Sequence, residues 1–287
     1  MISHKINLLK RKKCPLCDSI FKIVCSHSAN SNILEKYFLN KYNCKININN
    51  DYEIAKCKNC YFLFQVHIPN NNSIKILYEE IINYKISLKK RLRASKGYFK
   101  LLYNDLIRLM LIFNEYVKPN EIKVLDFGLG WSNWAKLAQS SGYKVYGCEI
   151  SEKRKKYSEK YGIKCRDLDD FPNEYFNYIN TDEVLEHVEN PNDLINKLNS
   201  KLCYGGVIKI FVPNCNLFFL FKSKKKIYKE LAPLEHINGF TKKSLDKFMI
   251  NKGFKRLSPL FFLFNWKTFI FGFKQIFNTR GYFVKIK

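Results

Sequence analysis

The stretch that decides the fold is VLDFGLGWS, residues 124–132. It begins within a predicted strand over 123–127, and its two glycines lie where the chain turns into a predicted helix over 131–141. Glycines at a strand-to-helix turn let the backbone approach a ligand closely, although a glycine pair alone also suits a purely structural turn. Glu149 closes the next predicted strand, 23 positions after Asp126, where a carboxylate reaches the hydroxyls of a ribose. The sequence therefore predicts a nucleotide site.

Short apolar runs alternate with helical runs on both sides of this stretch. The predicted strands cover 123–127, 144–149, 163–165, 178–181, 207–212 and 282–286, and the predicted helices cover 131–141, 152–161, 191 to about 204, and 242 to about 251. Pro191 suits the first turn of its helix, and Thr241 suits the N-cap of the last helix. The alternation predicts an α/β fold with a doubly wound, mostly parallel sheet covered on both faces.

Two residues indicate which kind of nucleotide cofactor this turn can bind. A dinucleotide fingerprint has a third glycine where this chain has Asn133. Asp126 lies two positions before the first glycine, where its carboxylate would face a pyrophosphate. A carboxylate suits a cationic ligand with an amino group instead, so the sequence disfavours NAD and an oxidoreductase.

The same stretch resembles the first motif of class I S-adenosylmethionine-dependent methyltransferases, and four later segments resemble the motifs that follow it in that family. They are 145–151 (VYGCEIS), 166–168 (RDL), 176–188 (FNYINTDEVLEHV) and 202–210 (LCYGGVIKI). Five motifs in order are far more specific than one, and the resemblance covers the chain from 124 to about 254. It implies a Rossmann-like, seven-stranded, mostly parallel sheet and an S-adenosylmethionine cofactor.

The resemblance also assigns roles to single residues. It implies that the amino acid part of the cofactor is held by Asp126, Gly128 and Gly130, the ribose by Glu149, and the adenine by Asp167 and Leu168. This chain departs from the family pattern at Ser132, Asn177 and Tyr204. Ser132 replaces the third glycine of the first motif and adds bulk near the cofactor. A non-catalytic domain on the same fold therefore stays open as an alternative.

Two C-x-x-C pairs stand near the N-terminus: Cys14 with Cys17, and Cys57 with Cys60, with 39 residues between the pairs. Four thiolates in two such knuckles can fill the tetrahedral shell of one zinc ion, and a site closed in this way is structural. Buried reduced cysteines are the alternative. The N-terminus lacks the pattern of a secretory signal, so we expect reduced thiols and a cytoplasmic protein. Six more cysteines lack ligand spacing and are expected to pack in the core: Cys25, Cys44, Cys148, Cys165, Cys203 and Cys215.

The candidate acceptor segment is 233–241, which contains Glu235 and His236. It resembles the acceptor segment of sugar methyltransferases, and the knuckle region 13–64 resembles proteins of bacterial polysaccharide clusters. The resemblance makes His236 a candidate base, with Glu235 orienting it or binding a sugar hydroxyl. A packed interface histidine is the alternative. Glu186 and His187 are interpreted as a structural pair early in a helix.

The formal net charge of +25 is spread along the whole chain, which favours a generally basic surface over one nucleic-acid patch. An RNA methyltransferase is nevertheless the first rival hypothesis, because zinc modules can bind RNA. Residues 222–226 are basic and either form a solvated loop, which is the favoured interpretation, or meet a phosphate-bearing acceptor. The aromatic stretch 261–277 either packs in the core or lies on a membrane surface. No apolar run is long enough to span a membrane.

A change in composition divides the chain into three predicted parts. Residues 1–75 form the cysteine-rich, zinc-binding module, 76–120 form a helical linker region, and 121–287 form the methyltransferase domain.

Overall fold

The structure is a computed structural model that describes residues 3–113, 117–216, 228–258 and 279–287. The chain forms two compact units, each built from separate segments. The cysteine unit comprises residues 1–89, 186–192 and 213–244, and the sheet unit comprises 90–185, 193–212 and 245–287. The predicted division near residues 75 and 120 marks changes in composition and stays a prediction. The basic segment 222–226 and the aromatic stretch 261–277 lie outside the described residues.

The first third of the chain contains short strands and three helices. In chain order they are β1 (Ser3–Ile6), β2 (Leu8–Lys10), β3 (Phe21–His27), α1 (Asn32–Tyr42), β4 (Lys45–Ile48), β5 (Tyr52–Cys57), β6 (Leu63–Gln65), β7 (His67–Pro69), α2 (Asn71–Ile76) and α3 (Tyr84–Leu92). A π-helical turn, Leu77–Ile81, follows α2 directly. Side chains of Ser31 and Asn70 accept backbone N–H bonds at the starts of α1 and α2, which is ordinary N-capping.

In the rest of the chain the strands and helices alternate as the sequence predicts, with two additional short strands, 238–239 and 254–256, that it does not predict. In chain order the elements are α4 (Lys96–Ile112), β8 (Lys123–Phe127), α5 (Asn133–Ser140), β9 (Lys144–Cys148), α6 (Glu152–Glu159), β10 (Lys164–Cys165), β11 (Phe176–Asp182), α7 (Pro191–Lys201), β12 (Leu202–Phe211), β13 (Asn238–Gly239), α8 (Lys242–Asn251), β14 (Phe254–Arg256) and β15 (Gly281–Lys285). The hydroxyl of Thr241 accepts the backbone N–H of Ser244 at 3.1 Å, so the predicted N-cap of α8 is confirmed.

The sheet unit contains a seven-stranded sheet in the order β10-β9-β8-β11-β12-β15-β14. The first five strands in this order, from β10 to β12, are parallel to one another. Strand β15 is antiparallel to both of its neighbours, β12 and β14. The chain runs outward from β8 through β9 to β10, then returns to the other side of β8 with β11. This reversal between β8 and β11 is a topological switch point, where doubly wound folds bind ligands beyond the carboxyl ends of the strands. The predicted fold class is confirmed.

Helices α4 and α5 cover the apolar strands of this sheet. The buried cluster includes Leu106 and Leu109 of α4, Trp134 of α5, Val124 of β8 and Tyr178 of β11. Because β8 lies in the middle of a parallel sheet, its side chains are buried on both faces, which explains the continuous apolar run before the glycines.

A network of charged side chains is also buried in the sheet unit. Lys209 of β12 is fully buried, and its Nζ lies 2.9 Å from Oδ2 of Asp105 and 3.0 Å from Oδ2 of Asp182. Asp105 on α4 also accepts bonds from Arg280 and from the Tyr282 hydroxyl. Each buried charge therefore has a partner, as burial in a medium of low dielectric constant requires.

The cysteine unit contains a four-stranded antiparallel sheet in the order β13-β6-β5-β3, together with two small strand pairs. Strand β13, which is remote in sequence, joins this sheet through Asn238 and Gly239, which pair with Phe64 and Leu63. A core of buried apolar residues packs α1 and the segment that contains Leu231 and Leu234 against the sheet. This core includes Leu34, Phe38, Ile54, Leu63, Leu231 and Leu234. None of the described helices combines the length and apolar composition that crossing a membrane would need.

Candidate cofactor, metal and acceptor sites

The loop after β8 holds three residues with left-handed backbone conformation, Gly128, Gly130 and Ser132, at φ of 72°, 56° and 59°. A Cβ on Gly128 would come within 2.5 Å of a methyl carbon of Val184, so this position needs glycine for packing as well as for its backbone angle. A Cβ on Gly130 would meet none of the described atoms within 4 Å. The backbone at Gly130 therefore borders open space, which fits a loop that a ligand approaches closely.

Ser132 occupies the third left-handed position, where the family pattern has glycine. It is completely buried, and its hydroxyl has no hydrogen-bond partner among the described residues. It precedes α5 without capping that helix through its side chain. The backbone at this position is thus left-handed, a conformation that glycine adopts freely and that is strained for serine.

Asp126 lies near the end of β8 and is only 3% exposed. Its Oδ1 accepts a 2.7 Å bond from the side-chain amide of Asn180, the residue paired with it on β11. Burial raises the pKa of Asp126 to about 7, although the Asn180 bond and the charge of Lys209 both act to lower it. A buried carboxylate with one neutral donor and an elevated pKa suits the binding of a cationic group.

Glu149 follows β9 directly and accepts three backbone N–H bonds. Its Oε2 lies 3.0 Å from the nitrogen of Gly130, and its Oε1 lies 2.9 and 3.0 Å from the nitrogens of Ile150 and Ser151. These bonds hold the carboxylate beside the glycine loop, at the place where the sequence predicts a ribose-binding acid. The side chain of Asp167 is 82% exposed, whereas Leu168 beside it is buried. The structure thus supplies one polar and one apolar side chain after β10.

The four predicted knuckle cysteines lie together in the cysteine unit. The Sγ–Sγ distances are 3.6 Å for Cys14–Cys60 and 3.5 Å for both Cys17–Cys57 and Cys17–Cys60. A tetrahedral zinc site with Zn–S bonds of about 2.3 Å has edges of about 3.8 Å, close to these values. The Sγ of Cys57 also accepts the backbone N–H groups of Asn59 and Cys60. Bonds from neighbouring thiols, Cys14 first, lower the pKa of the Cys60 thiol to about 5.

The segment containing Glu235 and His236 is held to the same unit by side-chain bonds to its backbone. The amide of Gln65 donates to the carbonyls of Ala232 and His236 at 2.8 and 3.0 Å. The Arg11 guanidinium donates to the Ile237 carbonyl at 3.1 Å. These bonds come from residues more than 160 positions earlier in the chain, and they fix the backbone that carries His236.

The carboxylate of Glu235 is bound by two side chains of α1. Lys41 Nζ lies 2.8 Å from it, and the Tyr42 hydroxyl donates to the same oxygen. Burial alone would raise the pKa of Glu235, but Lys41 and Tyr42 outweigh burial and the pKa is lowered. Neither α1 residue stands out in the sequence, because a lysine and a tyrosine on a helix usually face solvent.

His236 lies beside His187, with ring centroids 4.8 Å apart in an edge-to-face arrangement. Nδ1 of His236 donates to the Glu230 carbonyl at 3.1 Å, and Nδ1 of His187 donates to the Glu235 carbonyl at 2.9 Å. Burial lowers the pKa of both rings, that of His187 to about 4. The interpretation of Glu186 and His187 as early helix residues is wrong: both lie in a turn between β11 and α7. This turn brings His187 to His236, which sequence spacing could not predict.

The doubly wound sheet, the glycine loop and the two carboxylates at the ends of β8 and β9 define a class I S-adenosylmethionine-dependent methyltransferase. Residues 98–258, more than half of the chain, match the family described as "Methyltransferase domain", and the chain belongs to that family. A comparison with curated protein sequences finds no match.

Solved structures of methyltransferases are similar in fold. The plantazolicin methyltransferase BpumL, in complex with SAH, has a TM-score of 0.53 and 16% identity, and the match covers 74% of this chain and 93% of that one. A SAM-dependent methyltransferase from Archaeoglobus fulgidus has a TM-score of 0.47 and 18% identity, covering 70% and 98% of the two chains. One from Mesorhizobium loti has a TM-score of 0.41 and 17% identity, covering 63% and 95%.

Proposed function

We propose that this enzyme methylates a hydroxyl group of a small-molecule or glycan acceptor, a sugar in polysaccharide or nucleotide-sugar metabolism, in the cytoplasm. The observation that carries the proposal is the pair of half-buried histidines, His187 and His236, in the cysteine unit. Each ring has its Nδ1 proton committed to a backbone carbonyl, so the Nε2 of each neutral ring keeps its lone pair. A base of this kind suits an acceptor that must lose a proton as it is methylated.

S-adenosylmethionine, when bound, supplies a methyl group on a sulfonium that needs little further activation. In our proposal Asp126 binds the amino group of the cofactor's amino acid part. The absence of side chains at Gly128 and Gly130 lets the backbone approach that part of the cofactor closely. Glu149 holds the ribose hydroxyls, and Asp167 with Leu168 holds the adenine. The open space beside Gly130 and the buried carboxylate of Asp126 support this assignment.

On the acceptor side, His236 takes the proton of the acceptor hydroxyl at Nε2. Glu235, fixed by Lys41 and Tyr42, binds a neighbouring sugar hydroxyl.

We also propose that the cluster of Cys14, Cys17, Cys57 and Cys60 binds one structural zinc ion. The Sγ separations near those of a zinc–thiolate tetrahedron support this assignment, as do the backbone N–H bonds to Cys57 Sγ. Four thiolates fill the coordination shell, so this ion has a role in stability and none in the reaction.

The proposal is tested by incubating protein that holds one zinc equivalent per chain with methyl-labelled S-adenosylmethionine and a panel of nucleotide sugars, with RNA as a separate arm. We expect labelled sugar from the parent and a loss of at least a hundredfold in kcat for His236→Asn. Replacing His67, whose ring binds the Asp51 carbonyl elsewhere in the same unit, with Asn is the matched control and should leave kcat unchanged. Labelled RNA with unlabelled sugars would instead support the rival RNA methyltransferase.

A further inference from the structure

The cysteine unit contains a second group of metal-ligand side chains, Glu186, His187 and His236, apart from the four thiols. One ligand atom from each of the three residues can be chosen so that all lie within 4.8 Å of one another. The Glu186 carboxylate is 1% exposed, and its Oε1 lies 3.8 Å from Nε2 of His187. The three groups are thus close together, with Glu186 buried and both histidines half-buried.

The hydrogen bonds of the two imidazoles determine which nitrogen is available. A backbone carbonyl only accepts, so Nδ1 of His187 donates to the Glu235 carbonyl and Nδ1 of His236 donates to the Glu230 carbonyl. A neutral imidazole with a proton on Nδ1 has its lone pair on Nε2. Histidines that bind metals in proteins show this same arrangement, in which the second nitrogen donates to a carbonyl or carboxylate that fixes the ring.

The ligand set defines the class of ion. Two imidazoles and one carboxylate bind divalent first-row transition metals, zinc included, better than they bind magnesium or calcium. The ligand atoms of a tetrahedral site with bonds of about 2.1 Å lie about 3.4 Å apart, so the Glu186–His187 distance is already near that value. The widest separation is at most 4.8 Å, so side-chain rotations that shorten it by up to about 1.4 Å would complete the set.

We infer that Glu186, His187 and His236 bind one divalent transition-metal ion, with both imidazoles as ligands through Nε2. The site is separate from the thiol cluster, because it has different ligands and leaves positions open for water or an acceptor oxygen. Metal binding at this site has one consequence, which rests on the proposed function. An ion bound to Nε2 of His236 occupies the lone pair that would take the acceptor's proton, so metal binding and base catalysis by His236 exclude each other.

The inference is tested by metal stoichiometry in the absence of cofactor and acceptor. The full-length protein is saturated with zinc, freed of excess by gel filtration, and analysed for zinc per chain. We expect two equivalents for the parent and one each for Glu186→Gln and His187→Ala. The His4→Gln variant, which loses a histidine elsewhere in the same unit, should keep two equivalents.

Cobalt gives a readout that distinguishes the two sites. Cobalt in the thiol cluster produces a thiolate-to-metal charge-transfer band, whereas cobalt held by nitrogen and oxygen does not. We expect the second equivalent added to the parent to leave that band unchanged, and this equivalent to be absent from His187→Ala. A parent that binds a single equivalent, or variants that still bind two, would overturn the inference. Methyl transfer is measured separately, by the labelled-sugar assay on protein that holds one zinc equivalent per chain.

Discussion

Replacing Asp126 with asparagine should stabilise the cofactor-free protein above neutral pH. The reason is the position of the carboxylate, which is 3% exposed and has one neutral hydrogen-bond donor, Asn180. Burial without a paired cation penalises the ionised form, and asparagine removes that penalty while keeping an oxygen that accepts the Asn180 bond. The variant should therefore gain stability and lose the anchor for the cofactor.

The size of this gain follows from the pKa. Burial raises the pKa of Asp126 to about 7 in the folded protein, against about 3.9 in the unfolded chain. Between these values the folded state keeps a proton that the unfolded state has released, so stability falls as the pH rises through this window. Three pKa units correspond to about 4 kcal/mol, which is fully lost above the folded pKa. We therefore expect a gain of up to about 4 kcal/mol for Asp126→Asn at about pH 8.

The assay is urea unfolding of the zinc-loaded, cofactor-free protein at about pH 5 and about pH 8. The advantage of Asp126→Asn should shrink by more than half at the lower pH, where most of the penalty is absent. The Asp170→Asn variant, which changes an exposed carboxyl group, is the control and should show no pH-dependent gain. The reasoning would be refuted by a variant that is no more stable than the parent at about pH 8, or by equal gains at both pH values.

Three further predictions concern stability. Ser132→Gly should be about 1 kcal/mol more stable than Ser132→Ala in thermal unfolding, because both remove the buried hydroxyl and only glycine relieves the left-handed strain at φ 59°; equal stabilities would contradict this. Cys57→Ser should bind one zinc ion fewer per chain and melt at a lower temperature. A strong chelator should lower the melting temperature of the parent in the same way, whereas Cys203→Ser should change neither the zinc content nor the melting temperature. Asp105→Asn should cost about 3–5 kcal/mol in urea unfolding, because it leaves the buried Lys209 and Arg280 without a shared counter-charge; a cost under about 1 kcal/mol would show that the network is dispensable.

The sequence was sufficient to predict the strands and helices of the sheet unit apart from β14, because each of the others is a run with its own periodicity and end signals. Thr241 and Pro191 mark their helix starts as ordinary capping rules require. The element boundaries just before β12 were harder to predict from the sequence. Helix α7 ends at Lys201 rather than near residue 204, and β12 begins at Leu202 rather than at residue 207, with an irregular register against β11. Its pairing with β11 is a long-range effect that local patterns do not encode.

The candidate site residues show the same limit. Asp126 and Glu149 could be found from spacing, because strand ends and glycines fix where a loop turns. Asn180 could have been found from strand register, since it pairs with Asp126 once β8 and β11 are neighbours. The approach of His187 to His236, and of Lys41 to Glu235, depends on packing between segments far apart in the chain. No local pattern predicts such contacts.

The central claim, an S-adenosylmethionine site on the glycine loop, is tested most directly by calorimetric titration of the zinc-loaded protein with S-adenosylhomocysteine. We predict one site per chain, with binding at least a hundredfold weaker in Asp126→Asn than in the parent. Because the pKa of Asp126 is about 7 without ligand, the parent should also bind about tenfold more weakly at about pH 6 than at about pH 8. The absence of binding by a folded, zinc-loaded parent, or equal binding by Asp126→Asn, would contradict the account.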